Sequence, residues 1–240
     1  MFSDVLLTVD FDRTLTAPDS TVPARNIEAI RYFIDNPLQL LYMLPALLLG
    51  LTLHEWGHAY AAYRCGDPTA RNLGRMSLNP LDHFDILGTL CLLFLGFGWA
   101  KPVPVNPRNF KHFKRDDIIV SLAGVTMNLL QVIFFSALFI LLVRWDNRLF
   151  FNDAFYYIFP NLIGINTTLI IFNLIPIPPL DGSHVAESLL GRHLPYQVFA
   201  FLRQYGRYIL LALLWLGILD YPISWAHNWV FGLIGKLLVA

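Results

Sequence analysis

Residues 38–61 read Leu38-Gln-Leu-Leu-Tyr-Met-Leu-Pro-Ala-Leu-Leu-Leu-Gly-Leu-Thr-Leu-His54-Glu55-Trp56-Gly57-His58-Ala-Tyr-Ala61. Residues 38–53 carry no formal charge, and three ionisable side chains follow at once. Moving outward, residues 118–143 are 26 positions without a formal charge, and residues 154–180 are another 27. Both exceed the roughly 20 residues that carry a helix across the hydrocarbon core of a bilayer. The run 86–100 is shorter and holds Gly88, Gly96 and Gly98, the pattern of a re-entrant or interfacial segment or a short span. Residues 208–219 and 221–235 form one interrupted span or two short ones around Asp220 and Pro222.

The whole chain agrees with these runs. Of 240 residues, 56% are hydrophobic and 14% charged, with mean hydropathy +0.53. A soluble domain carries about 25% charge, so this chain lacks the polar surface to dissolve as a monomer. Disorder is excluded by the same figures. A net charge of zero gives no reason to expect a nucleic-acid partner. Two cysteines, Cys65 and Cys91, exclude a disulfide-stapled scaffold and a four-cysteine metal site. The start holds Asp4, Asp10, Asp12 and Arg13, unlike a secretory signal.

His54-Glu55-Trp56-Gly57-His58 is H-E-x-x-H. On a helix, positions i and i+4 share a face, so both imidazoles reach one ion. Glu55 adjoins the first imidazole, where it can take a proton from water acidified by a metal. Ionisable groups at the end of an apolar span are costly and point to function. A catalytic zinc takes three protein ligands and leaves one position open. The third ligand has to come from elsewhere, and His83, His112, His184, His193 and His227 are available. Asp181 fits better, because Pro176, Pro178 and Pro179 break the run before it and let the backbone aim a carboxylate. An N-cap role for Asp181 on a helix over 182–190 is compatible with that. For one ion to bridge them, Asp181 must lie within about 5 Å of His54 or His58.

The chain resembles the site-2 protease family of intramembrane zinc metalloproteases. The likeness rests on His54–Tyr60, on Gly66-Asp67-Pro68-Thr69-Ala70 and on Gly74-Arg75-Met76-Ser77-Leu78-Asn79-Pro80. It continues through Gly98–Asn106, Ala123-Gly124 with Asn128, and Asn173 to Gly182, covering about residues 38 to 190. The resemblance implies one Zn2+ per chain on His54, His58 and Asp181, Glu55 as general base, and Asn128 and Asn173 holding the substrate. The family has proline after the Ala-Gly pair where this chain has Val125. Asn106 lies among Pro102, Pro104 and Pro107, which reads as a turn.

The expected fold is an all-α integral membrane protein. It would be a polytopic helical bundle of about 4–6 spans, with a re-entrant or interfacial segment after the first metal-binding helix. Residues 37–240 form the membrane-embedded metalloprotease domain. Residues 1–36 are an extension of unknown role. Within it, Val9-Asp10-Phe11-Asp12-Arg13-Thr14-Leu15-Thr16 resembles the first motif of haloacid-dehalogenase-type phosphatases, with Arg13 in place of glycine. The stretch before Pro37 is too short for the rest of that fold.

If 86–100 does not cross, His58, Asn128 and Asp181 share one membrane face. Loops on that face hold eleven Arg and Lys residues, including Arg64, Arg71, Arg75, Arg108, Lys111, Lys114 and Arg115. The opposite face holds five. The positive-inside bias then places the site near the cytoplasmic face of a cell (inner) membrane. The expected activity is endopeptidase cleavage of transmembrane protein substrates in or near the lipid bilayer. The alternative is a non-catalytic metal-binding membrane protein, either a transporter or a protease-like scaffold. Nothing in the sequence reports oligomeric state.

Overall fold

The computed structural model describes residues 36–85, 88, 100–191 and 193–239. The N-terminal extension with its Asp10–Asp12 motif, and nearly all of the 86–100 segment, lie outside them. Every regular element among the described residues is helical. Helix α1 spans Pro37–Cys65 and α2 the single turn Thr69–Asn72. They are followed by α3 (Phe113–Trp145), α4 (Asp153–Asn173), α5 (Asp181–Leu190), α6 (Tyr196–Trp215) and α7 (Asp220–Val239).

Local chemistry sets the boundaries. Helix α1 opens on Pro37, whose missing N–H costs nothing in a first turn. It closes on Gly66 at φ 112°. A Cβ there would also stand 2.9 Å from the Asn109 carbonyl oxygen, so glycine is required twice over. The Asn152 side chain caps α4 by accepting from Phe155 N–H at 3.1 Å. Helix α4 stops at Asn173, and the proline-bearing turn 174–180 leads into α5. Helices α6 and α7 meet at 67°, across a break that holds Gly217 at φ 70°.

Three helices form the heart of the bundle. His58 meets Val120 while His54 meets Asn128, so α1 and α3 run antiparallel. Ala46 packs on Leu162 and Ile165, and Gly50 faces Asn166 and Leu169, so α1 and α4 run parallel. Helix α7 lies along both neighbours. His227 sits beside Thr168 and Gly164 of α4, and Ile234 packs among Val132, Phe139, Val143, Phe150 and Ile163.

Helices α3 and α4 are each long and apolar enough to cross a membrane, and α6 with α7 qualifies only as a bent pair. That makes two or three candidate spans among the described residues. The sequence expectation of four to six also counted residues 38–61, the last pair as one span or two and, at its upper limit, a crossing by 86–100, which lies almost wholly outside the described residues. Among the described residues the fold is all-helical, and with the apolar composition of the chain this makes a helical membrane protein.

Candidate metal centre

Helix α1 brings His54 and His58 to one face, four residues apart, with ring centroids 4.7 Å apart. Both are buried. Helix α5 begins at Asp181 itself, after an N-cap at Leu180 that makes no side-chain cap. The Asp181 carboxylate therefore does not cap its own helix. Its Oδ2 lies 3.3 Å from His54 Nε2 and 3.2 Å from His58 Nε2. The two Nε2 atoms are 3.0 Å apart. Among the described residues this is the one cluster of three or more His, Cys, Asp or Glu side chains that could hold an ion. His184 is directed elsewhere. It is exposed and lies 3.7 Å from Asp117 Oδ1, while Ser188 of the same helix donates to Asp117 Oδ2 at 2.9 Å. Both contacts dock α5 on α3.

The ring partners decide where the protons are. Asn128 Nδ2 donates to Gly50 O at 3.1 Å, which fixes the amide orientation because a carbonyl only accepts. Asn128 Oδ1 therefore faces His54 Nδ1 at 2.6 Å, and His54 Nδ1 donates. His58 Nδ1 donates to Val120 O at 2.7 Å. In each neutral ring the proton is then on Nδ1 and the lone pair on Nε2. Two lone pairs and a carboxylate oxygen thus converge. Asp181 Oδ2 is buried and takes no hydrogen bond. Three buried acceptors with no proton between them fit a cation. Their separations of 3.0, 3.2 and 3.3 Å match the roughly 3.3 Å between tetrahedral apices for bonds near 2.0 Å. The His, His, carboxylate set suits zinc.

Helix α3 presses its backbone onto this cluster. A Cβ on Gly124 would stand 2.4 Å from His58 Nε2 and 2.7 Å from His54 Nε2. Only glycine lets the helix approach so closely. Gly57 does the reverse from α1, where a Cβ would meet the Ala123 carbonyl oxygen at 3.0 Å.

Of the residues expected at the substrate, Asn128 is fully buried. Its Nδ2 also donates to Asn166 Oδ1 at 2.7 Å, so both its donors and its acceptor are engaged within the protein. Asn173 is half-buried at the last residue of α4, and its Nδ2 donates to Leu169 O at 3.0 Å. Asn106 caps a short turn by accepting from Arg108 N–H at 3.2 Å.

Two residues escape a reading by residue type. Val103 N–H donates to Glu55 Oε2 at 2.8 Å. Asp67, fully buried, accepts from Thr69 N and Oγ1, Asn109 Nδ2 and Asn106 N. Burial pushes the Asp67 carboxyl up, but hydrogen bonds from Thr69, Asn106 and Asn109 outweigh it and hold the group below the usual carboxylate range. The Gly66-Asp67-Pro68-Thr69 turn and the prolines flanking Val103 were the available signals.

A helical membrane bundle with this donor set and an adjacent glutamate defines a class, the membrane-bound metallopeptidases. Comparison with known proteins gives the family. The model of "Peptidase family M50" matches residues 147–216, the stretch that holds Asn173 and Asp181. A Bacillus subtilis protein named "Putative zinc metalloprotease YwhC" is 40% identical over 161 residues, covering 66% of this chain and 74% of that protein. Proteins named Rip2 in the same terms are 31% identical. The one from Mycolicibacterium smegmatis matches 70% of this chain and 64% of its own length. The one from Mycobacterium tuberculosis H37Rv matches 78% and 69%. No solved structure matches. The chain belongs to peptidase family M50, the site-2 protease family, and is a zinc metalloendopeptidase.

Proposed function

We propose that the protein cleaves transmembrane protein substrates within or near the bilayer, with one zinc ion per chain on His54, His58 and Asp181. The observation that carries this is the convergence of two imidazole lone pairs and an unbonded carboxylate oxygen, all within 3.3 Å, against helix α3, which is long and apolar enough to cross a membrane. When bound, zinc supplies Lewis acidity, polarising the scissile carbonyl and acidifying water.

The chain's own residues do the rest. Asn128 and Val120 O hold the imidazoles in the tautomer that presents both lone pairs. Glu55 is the general base. Its oxygen not engaged by Val103 takes the proton of the attacking water and returns it to the leaving amine. Asn173, beside the turn that leads to Asp181, offers its amide to the substrate backbone. Asn128 serves His54 in this reading rather than the substrate. A substrate helix hides its carbonyls in i to i+4 bonds, so it must open locally before it is cut. The site faces the cytoplasm of a cell (inner) membrane, on the side rich in Arg and Lys. Residues 37–240 form the enzyme, and residues 1–36 are an appended segment.

The test is wild type beside Glu55→Gln, assayed for bound zinc and for cleavage of a transmembrane peptide in vesicles. The variant is expected to keep its zinc and lose about 100-fold or more in kcat. A variant that cleaves at the wild-type rate removes Glu55 as the base. Wild type that binds zinc and cleaves only soluble peptides removes the intramembrane reading.

A further inference from the structure

We propose that the main-chain N–H of Val103 is the positioning group for the catalytic glutamate, and that the proline-alternating segment 101–106 is built to present it. The inference rests on Glu55 being the base. A general base has to be held within hydrogen-bond reach of the proton it takes, and a glutamate has three side-chain torsions to fix. Glu55 Oε2 accepts from Val103 N–H at 2.8 Å, which leaves the other oxygen to act.

The segment is built so that no other donor can take that place. Lys101-Pro102-Val103-Pro104-Val105 alternates proline with donor-bearing residues, and proline has no N–H. Between Lys101 and Val105, Val103 alone carries a main-chain donor. A slip by one residue would set a proline against the carboxylate.

Both ends of the segment are tied. Lys101 N–H donates to His83 O at 2.9 Å, and Arg75 donates to Lys101 O at 2.8 Å. At the other end Asn106 N–H donates to Asp67 Oδ2 at 2.7 Å, and Asp67 N–H donates to Ala62 O of α1 at 2.9 Å. The Val103 side chain is buried with Ala59, one turn beyond Glu55, and Ala70. The result is a closed frame. Helix α1 carries the glutamate and, through Asp67, also anchors the strap that holds it.

The experiment uses the zinc-loaded full chain in vesicles with a transmembrane peptide, and rates are expressed per bound zinc. Val103→Pro removes the N–H while keeping a buried apolar side chain between two prolines. Its kcat is expected to fall about 10–100-fold, with KM within about twofold of wild type and zinc content unchanged. Val103→Ala keeps the N–H and is expected to restore most of kcat, although it removes more packing. If Val103→Pro fails to accumulate folded, replacing the Val103 amide with an ester removes the same donor with the side chain intact, weakening only the long Arg75 contact to Pro102 O (3.3 Å) besides, and is expected to give the same fall in kcat. A wild-type or raised kcat in the N–H-deleted protein overturns the proposal, as does Val103→Ala losing as much as Val103→Pro. Adding Val103→Pro to Glu55→Gln is expected to leave the residual rate unaltered, and a further tenfold loss overturns the proposal. Full activity in Glu55→Gln alone defeats the base assignment instead, so the two failures are told apart.

Discussion

The two ends of the three-helix heart are built on different principles. At the far end Phe139 stacks on Phe155 and lies against Phe159, while Phe150 meets Tyr156. Val132, Val143, Ile163 and Ile234 fill the remainder. At the metal end there is little bulk. Gly57 and Gly124 bring two backbones together, and the His54 and His58 rings and the Asn128 amide each have a directional partner. In a bilayer a buried phenylalanine gains by packing and not by leaving water, so the far end supplies cohesion by contact alone. The metal end supplies aim. Stability and activity should therefore separate along the helix axis.

Gly124→Ala should show the separation most strongly. Its new Cβ meets imidazoles already pinned through Asn128 and Val120 O, so the rings cannot swing aside. Displacement of about 1 Å is enough for a rate loss near 100-fold, and bound zinc measured by atomic absorption is expected to fall well below one per chain. Gly164→Ala is the matched control, because its Cβ would meet His227 only at 3.9 Å, an ordinary contact. Gly124→Ala with full zinc would break the comparison.

Asn128→Ala comes next. It removes the acceptor of His54 Nδ1 and leaves Asn166 Oδ1 without its donor. Zinc affinity, followed by competition with a chelator, is expected to drop about 10–100-fold. A change confined to KM would instead return Asn128 to the substrate. Phe139→Ala should do least to the chemistry. Phe139 is 3% exposed, and its removal should lower unfolding stability by about 1–3 kcal/mol while leaving zinc content and kcat unchanged. A large loss of zinc would show that the ends are not separable.

Much of this was legible in the sequence because it depends on spacing. Apolar runs marked α3 and α4, the proline cluster marked the break after Asn173, and H-E-x-x-H required a shared helical face. The convergence of Asp181 was legible only through the family resemblance and the broken run, since 127 residues separate it from His54. The partners of Asn128 were not legible. A polar residue in an apolar helix announces that it bonds something but not whether that is a ligand or a substrate. The roles of Asp67 and Val103 were hidden for a different reason. They depend on a strap folded back on α1, and the Gly66–Thr69 turn and the prolines around Val103 mark that strap without saying what it folds onto.

His58 takes its orientation from a peptide oxygen, Val120 O, where His54 takes its own from an amide side chain. No codon change at position 120 deletes that oxygen. A saturation screen of α3 would register Asn128 and Gly124 through what they do at the imidazoles, but Val120 only through its buried side chain, so half of the support behind the imidazole pair is invisible to genetics and must be probed by backbone chemistry.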